Sequence, residues 1–158
     1  MEECIAYLET CPMTEEEKEI ITAWQYAGQY AIYNTTPYAE QKKQGVGFAN
    51  PKNNFYSFFD HDTLVGFINL YEEPTEVFFG IGVRPDACGR GYGQQMTKAA
   101  CDLCGRLFPG KPLYLEVRTW NARAVRCYEK AGFRITGEPI RQTTSVGDGV
   151  FYHMVRKI

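Results

Sequence analysis

The segment Ala87–Cys88–Gly89–Arg90–Gly91–Tyr92–Gly93–Gln94 places three glycines at alternate positions, between a strand-forming run and an amphipathic run. Glycine has no Cβ, so a ligand can approach the backbone there closely. Successive N–H groups, with a following helix N-terminus worth about half an elementary charge, make a seat for phosphate oxygens. Arg90 offers a full charge beside them. A ligand bearing a diphosphate is the chemistry this pattern predicts. A Walker loop is excluded, since it needs Gly-Lys followed by Ser or Thr. The loop also reads G-x-G-x-G rather than G-x-G-x-x-G, and it lacks the acidic residue that a dinucleotide-binding unit carries after its next strand. A plain connecting turn is the alternative, because glycine-rich turns are common between elements.

Further along, Glu116, Asn121 and Tyr128 have side chains suited to proton transfer and amide hydrogen bonding. Asn121 and Tyr128 are seven residues apart and share a helix face. Leu113, Leu115 and Val117 alternate with Tyr114, Glu116 and Arg118, which sends Glu116 to the face away from the core. A carboxyl of ordinary pKa, about 4.3 for Glu, acts as a base through a water or after an upward shift from burial. The plainer readings are a surface Glu116 paired with Arg118 and a Tyr128 ring packed in the core.

These residues need elements to hold them. Thr14 with Glu17 fits a capping box and starts a helix near residue 15. The aromatic stretch Gly28–Tyr33 reads as a strand, and 34–54, broken by Pro37, Gly45, Gly47 and Pro51, as loop. Phe55–Phe59 and Leu64–Tyr71 read as a hairpin turning at Asp60–His61–Asp62, and Glu76–Arg84 as a further strand. From Gln94, Met96, Ala99, Ala100, Leu103 and Leu107 mark a helix that stops at Pro109–Gly110. A strand over Leu113–Val117 follows, then a helix capped by Asn121 and closed at Gly132. Gly147–Asp148–Gly149 reads as a tight turn between strands Ile140–Ser145 and Val150–Ile158. The order predicts one mixed α/β domain.

Composition narrows the function. The chain of 158 residues has a net charge of -2, which offers no electrostatic case for nucleic acid. No run approaches the ~18–20 apolar residues of a membrane span. The N-terminus has acidic residues where a signal peptide needs basic ones, so a cytoplasmic location is expected. Of the six cysteines, Cys101 and Cys104 alone have metal-like spacing, and with only His61 and His153 in the chain no second ligand pair answers them. No metal is expected.

The strand, the loop G-R-G-Y-G and its helix resemble the acetyl-CoA motif of the GNAT acetyltransferase superfamily. The run Leu115–Glu116–Val117–Arg118–Thr119–Trp120–Asn121, continuing to Tyr128–Glu129–Lys130–Ala131–Gly132–Phe133, is similar to that family's second motif, and the resemblance covers roughly residues 55–158. It implies an α/β (α+β) fold: a mixed, mostly antiparallel sheet with one splayed strand pair and helices on both faces. It also implies acetyl transfer from acetyl-CoA to a primary amine by direct attack. The pantetheine arm would lie along Ile81, Gly82 and Val83, with a main-chain N–H near Val83 as oxyanion donor. The diphosphate would sit on Cys88, Gly89, Arg90, Gly91, Tyr92, Gly93 and Gln94. Asn121 would contact the arm, Tyr128 would be the acid near sulfur and Glu116 the base, with Glu76 a rival. The family loop usually opens with Arg or Gln, and here Cys88 stands in that place.

In family terms residues 1–54 form the acceptor side and 55–158 the acetyl-CoA core of one domain, working as monomer or homodimer. Trp24, Tyr26, Tyr30, Tyr33, Tyr38 and Phe48 are candidates to wall an amine pocket, or else to pack a core. The acceptor stays open between a protein N-terminus, a lysine and a small amine. A CoA-binding sensor without turnover, and a nucleotide-binding or interaction domain, are the other classes to be weighed.

Overall fold

The computed structural model describes residues 8–144 and 147–157. Its eight-stranded sheet runs in the order β1 (Leu8–Pro12), β2 (Asn54–Asp60), β3 (Thr63–Glu72), β4 (Val77–Val83), β5 (Leu113–Arg118), β8 (Gly147–Arg156), β6 (Arg134–Ile135), and β7 (Ile140–Thr144) also pairs with β8. All neighbours are antiparallel except β4 and β5. That parallel pair is connected through a helix, α3 (Tyr92–Leu107), the kind of crossover parallel neighbours require.

Alternation along each strand sorts the two faces. On one face Phe58, Ile68, Leu70, Val77, Phe79, Leu115 and Met154 pack against Met96, Ala100 and Cys104 of α3 and build the main core. Ala124, Val125 and Tyr128 of α4 (Ala122–Lys130) extend the same face. On the opposite face, α1 (Glu15–Thr22) and α2 (Tyr38–Gln44) contribute Ile21 and Tyr38, which join Phe48 over Phe55, Leu64 and Phe67. The fold is the mixed, mostly antiparallel sheet with helices on both faces that the family resemblance implies. Among the described residues no helix is long and apolar enough to cross a membrane.

The capping box forms as expected: Glu17 N–H donates to Thr14 Oγ1 at 3.2 Å, and Thr14 N–H donates to Glu17 Oε1 at 3.1 Å. The same carboxylate oxygen accepts from the buried Ser57 hydroxyl at 2.7 Å, which fastens α1 to β2. Asn121 caps α4 through Ala124 N–H, and Gly132 beyond its end has φ +98°.

Three readings need correction. Gly28–Tyr33 is a 3₁₀ helix and not a strand. In that geometry residues three apart eclipse, and Tyr30 and Tyr33 stack at 6.3 Å, so aromatic content here reports ring packing rather than pleating. The stretch 34–54 is not simply loop: it holds α2, with Pro37 just before it and left-handed Gly45 (φ +66°) at its end, which together delimit a helix instead of interrupting a coil. Gly147–Gly149 is not a turn, because these residues pair with Thr144, Thr143 and Gln142. Ser145 and Val146, like residues 1–7 with Cys4, and Ile158, lie outside the described residues. Strands β1 and β6 had no sequence signal of their own.

Thr14→Ala should lower stability by about 1 kcal/mol, whereas Phe79→Ala should remove about 3–5 kcal/mol. Urea unfolding followed by circular dichroism measures both, and near-equal losses would overturn this division between cap and core.

Candidate active site

β4 and β5 pair only at Val77–Leu113 and Phe78–Tyr114, and beyond those positions the strands are unpaired. Two hydrogen bonds set the direction of the β4 backbone. Arg84 N–H donates to Val65 on β3 (2.8 Å), and Val77 N–H donates to Pro112 on the β5 side (2.9 Å). With a period of two, Phe79, Ile81 and Val83 turn their N–H and C=O groups into the gap, while Gly82 turns its own toward β3, where it is paired with Phe67. Gly82 matters instead for what it lacks, since a Cβ there would fall 2.3 Å from the Phe67 ring.

The gap opens into a cleft of about 830 Å³ that takes in Ile81, Gly82 and Val83, the glycine loop, and Asn121 and Tyr128 of the opposite wall. Tyr26 reaches across it, its hydroxyl donating to Val83 C=O at 2.7 Å. Burial pushes the Tyr26 pKa up, with Cys88 adding to the shift, so it is a donor at any physiological pH.

At the loop, Gly89 (φ +81°) and Gly91 (φ +84°) adopt left-handed backbone that disfavours side chains, although space around both is open. Gly91 is the N-cap of α3 and no side chain caps that helix, which leaves its first N–H groups, on Tyr92, Gly93 and Gln94, for a ligand. The Tyr92 ring is buried and its hydroxyl bonds Asp60, so the loop is fixed to the β2–β3 hairpin. Cys88 Sγ folds back to within 3.6 Å of Arg84 O and lies in the cleft wall. Arg90 is exposed and lies outside the cleft lining. An open backbone edge leading to a bare helix N-terminus fits a long polar arm that ends in a diphosphate, and so fits the CoA group.

Tyr128 packs edge-on against Phe79 (6.3 Å) and Phe133 (6.1 Å), and no described residue hydrogen-bonds its hydroxyl. Burial pushes its pKa up, with Cys127 and Tyr33 adding to the shift, so the proton stays on the oxygen. Asn121 is buried; besides capping α4, its Nδ2 donates to Tyr33 Oη at 3.0 Å. Glu116 is exposed to the cleft and accepts from Gln142 Nε2 at 2.8 Å, which makes Gln142 and not Arg118 its partner. Glu76 precedes β4 at the paired end, seven residues or roughly 23 Å of strand from Val83, and does not line the cleft. His153 is bound to Thr136 (2.6 Å) and its ring is tilted against Tyr114 (5.2 Å), and His61 is bound to Asp60. Burial raises the thiol pKa of Cys101, Cys104 and Cys127, as it does for packed residues.

The aromatic set divides. Trp24, Tyr26, Tyr30, Tyr33 and Phe48 line the cleft, whereas Tyr38 packs in the smaller core and donates to Glu15. Sequence reasoning missed Trp120, which meets Tyr30 at 5.6 Å, and the buried Arg118. Position on β5 was the available signal for Arg118, since it shares a face with Glu116.

The Tyr92 hydroxyl, and His61 after it, lower the Asp60 pKa from its ordinary 3.8. A depressed carboxyl stabilises the fold above its unfolded pKa and loses that contribution as pH falls through the folded value. Tyr92→Phe should therefore lower the melting temperature at pH 7, and that deficit should shrink as pH falls below the ordinary 3.8 and through the depressed folded value. Melting curves across pH check this, and a deficit independent of pH would exclude the Asp60 bond as its cause.

Comparison with known proteins matches residues 16–133 to the sequence model of the acetyltransferase (GNAT) family. The peptidyl-lysine N-acetyltransferase YjaB of Salmonella typhimurium is 28% identical over 125 residues, covering 78% of this chain and 80% of that protein. The N-alpha-acetyltransferase RimI of Mycobacterium tuberculosis is 32% identical over 99 residues, covering 56% and 57% respectively. Among solved structures, the spermidine N-acetyltransferase of Vibrio cholerae with CoA and spermine superposes at TM-score 0.76, with 18% identity and 94% of both chains covered. The aminoglycoside acetyltransferase AAC(6')-Ib with coenzyme A does so at 0.74, with 20% identity and 96% and 95% covered. At such identities these two structures attest the fold.

Proposed function

The chain belongs to the acetyltransferase (GNAT) family and is an acetyl-CoA-dependent N-acetyltransferase, and from that premise we propose that it acetylates a primary amine by direct attack, with Tyr128 as acid and Glu116 as base. The observation that carries this reading is the unpaired edge of β4 facing Asn121 and Tyr128 across one cleft. Bound acetyl-CoA supplies the acetyl thioester. The N–H groups at the start of α3 hold its diphosphate, and the gap-facing backbone of Ile81 and Val83 holds its arm as a missing strand would be held. Tyr26 and Tyr33 release Val83 and Asn121 to make those contacts. Residues 8–54 wall the acceptor side through Trp24, Tyr30 and Tyr33.

Glu116 takes a proton from the acceptor ammonium, directly or through a water, which frees the nitrogen lone pair for the thioester carbon. The Val83 N–H donates to the carbonyl oxygen as negative charge grows there. As the C–N bond forms and the C–S bond breaks, Tyr128 gives its proton to the leaving sulfur, and the second proton that the new amide nitrogen sheds restores the tyrosine hydroxyl. Its raised pKa secures the proton beforehand. The proton therefore stays on the oxygen until negative charge develops on the leaving sulfur. The nature of the two sequence relatives makes peptidyl lysine and protein N-termini acceptor classes for assay.

Tyr128→Phe should lower kcat by about 10²–10⁴-fold, while the KM for acetyl-CoA changes little. Thiol release across an amine panel reads this, and normal turnover would remove Tyr128 from the mechanism. Gly91→Val, which forces a branched side chain into left-handed backbone, should weaken CoA binding about tenfold or more, each tenfold being about 1.4 kcal/mol. Unchanged affinity by calorimetry would take the loop out of diphosphate binding.

A further inference from the structure

Arg118 is only 6% exposed, yet it lines the cleft. Its guanidinium lies over the Phe151 ring at 4.7 Å and above Gly149, where a Cβ would come 2.2 Å from Nη1. Thus Gly149 leaves room for the charge and Phe151 supports its flat side. Its one hydrogen bond to a described residue runs from Nη2 to Thr144 Oγ1, at 3.4 Å. Among the described residues no carboxylate forms an ion pair with it, and Glu116 on the same face is engaged by Gln142. A guanidinium has five N–H donors and does not lose its charge. Buried charges are as a rule paired, so the missing anion belongs to what the cleft binds.

The diphosphate of the cosubstrate is poorly placed to be that anion. Its seat, the start of α3, lies on the main-core side of the sheet. Arg118 lies on the other side, over the strip where β5 meets Phe151 of β8 and, next to it, β7. That leaves the acceptor. We propose that the acceptor amine carries a carboxylate a few bonds from its nitrogen, and that Arg118 binds that carboxylate. The inference rests on the acetyl-transfer reading above. Glu116 and Arg118 are two residues apart on one face, roughly 6.6 Å along the strand, so one short zwitterion meets Glu116 with its ammonium and Arg118 with its carboxylate. Free amino acids and peptides with an acidic first residue share this chemistry. Polyamines and aminoglycosides, cationic throughout, would bring like charge to a buried arginine.

The test compares kcat/KM in two matched pairs: leucine against leucinamide, and a hexapeptide beginning with Asp against one beginning with Asn. The carboxylate member of at least one pair should be preferred about tenfold to a hundredfold, and the pair that shows it identifies the source. Arg118→Met should bring that ratio to about one. Arg118→Lys, which keeps the charge without the planar fork, should retain part of it. If Arg118→Met does not fold, the wild-type ratios and Arg118→Lys decide. A wild-type ratio near one in both pairs, or a preference that survives loss of the guanidinium, overturns the inference. Absence of transfer to every amine while CoA still binds would sink the acetyl-transfer reading, and this one with it.

Discussion

The rest of the molecule is arranged around a sheet that stops pairing in its middle. After Phe78 and Tyr114, β4 and β5 share no further hydrogen bonds, and the gap-facing backbone of Ile81 and Val83 is left without a strand partner. Buried backbone polar groups are costly when unpaired, so the gap must stay wet, be bridged by a side chain, or take a ligand that pairs like a strand. Tyr26 shows the second solution at Val83 C=O. A pantetheine arm, with its own amides, suits the third. The opening also sets the position of everything else: α3 starts at its edge, and α4 closes its far wall.

The N-terminal segment is held to both walls of that gap. Tyr26 is bound to β4, and Tyr33 accepts from Asn121 at the start of α4. Tyr30, Tyr33 and Trp120 form an aromatic group above, with Arg123 over the Tyr30 ring. The acceptor side therefore rests on the groups assigned to the cosubstrate arm. An arm that takes up Val83 and Asn121 as proposed would do so in place of the bonds that anchor this segment.

Local signals carried a good deal of this. Thr14 with Glu17, Asn121 with Gly132 and the glycines around α3 each act over a few residues, where capping and backbone preference decide the outcome, and each was legible. The hidden features have long-range causes. The Gly28–Tyr33 helix exists because two tyrosines pack on Trp120, about ninety residues away. The Tyr26 hydroxyl finds its acceptor on β4, and Tyr92 finds Asp60 in another hairpin. Arg90 is proposed beside the phosphates from its neighbours alone, because the direction of an exposed loop side chain is not written in a glycine pattern. The engagement of Glu116 with Gln142 depends on the β7–β8 register, which the sequence reading had misplaced by putting the turn at Gly147–Gly149.

β5 joins stability to chemistry most directly. Its odd positions, Leu113, Leu115 and Val117, lie in the main core, and its even positions, Tyr114, Glu116 and Arg118, lie on the opposite face. Pairing with β8 holds that assignment across six residues, from Leu113–Arg156 to Arg118–Phe151. A one-residue slip would turn every side chain to the other face, sending the Glu116 carboxylate, exposed in the native register, into an apolar core. The cost of burying that charge therefore acts against the wrong register together with the loss of buried leucine. Glu116, the proposed base, thus also helps to specify the strand that holds it, and chemistry and folding would impose the same constraint here.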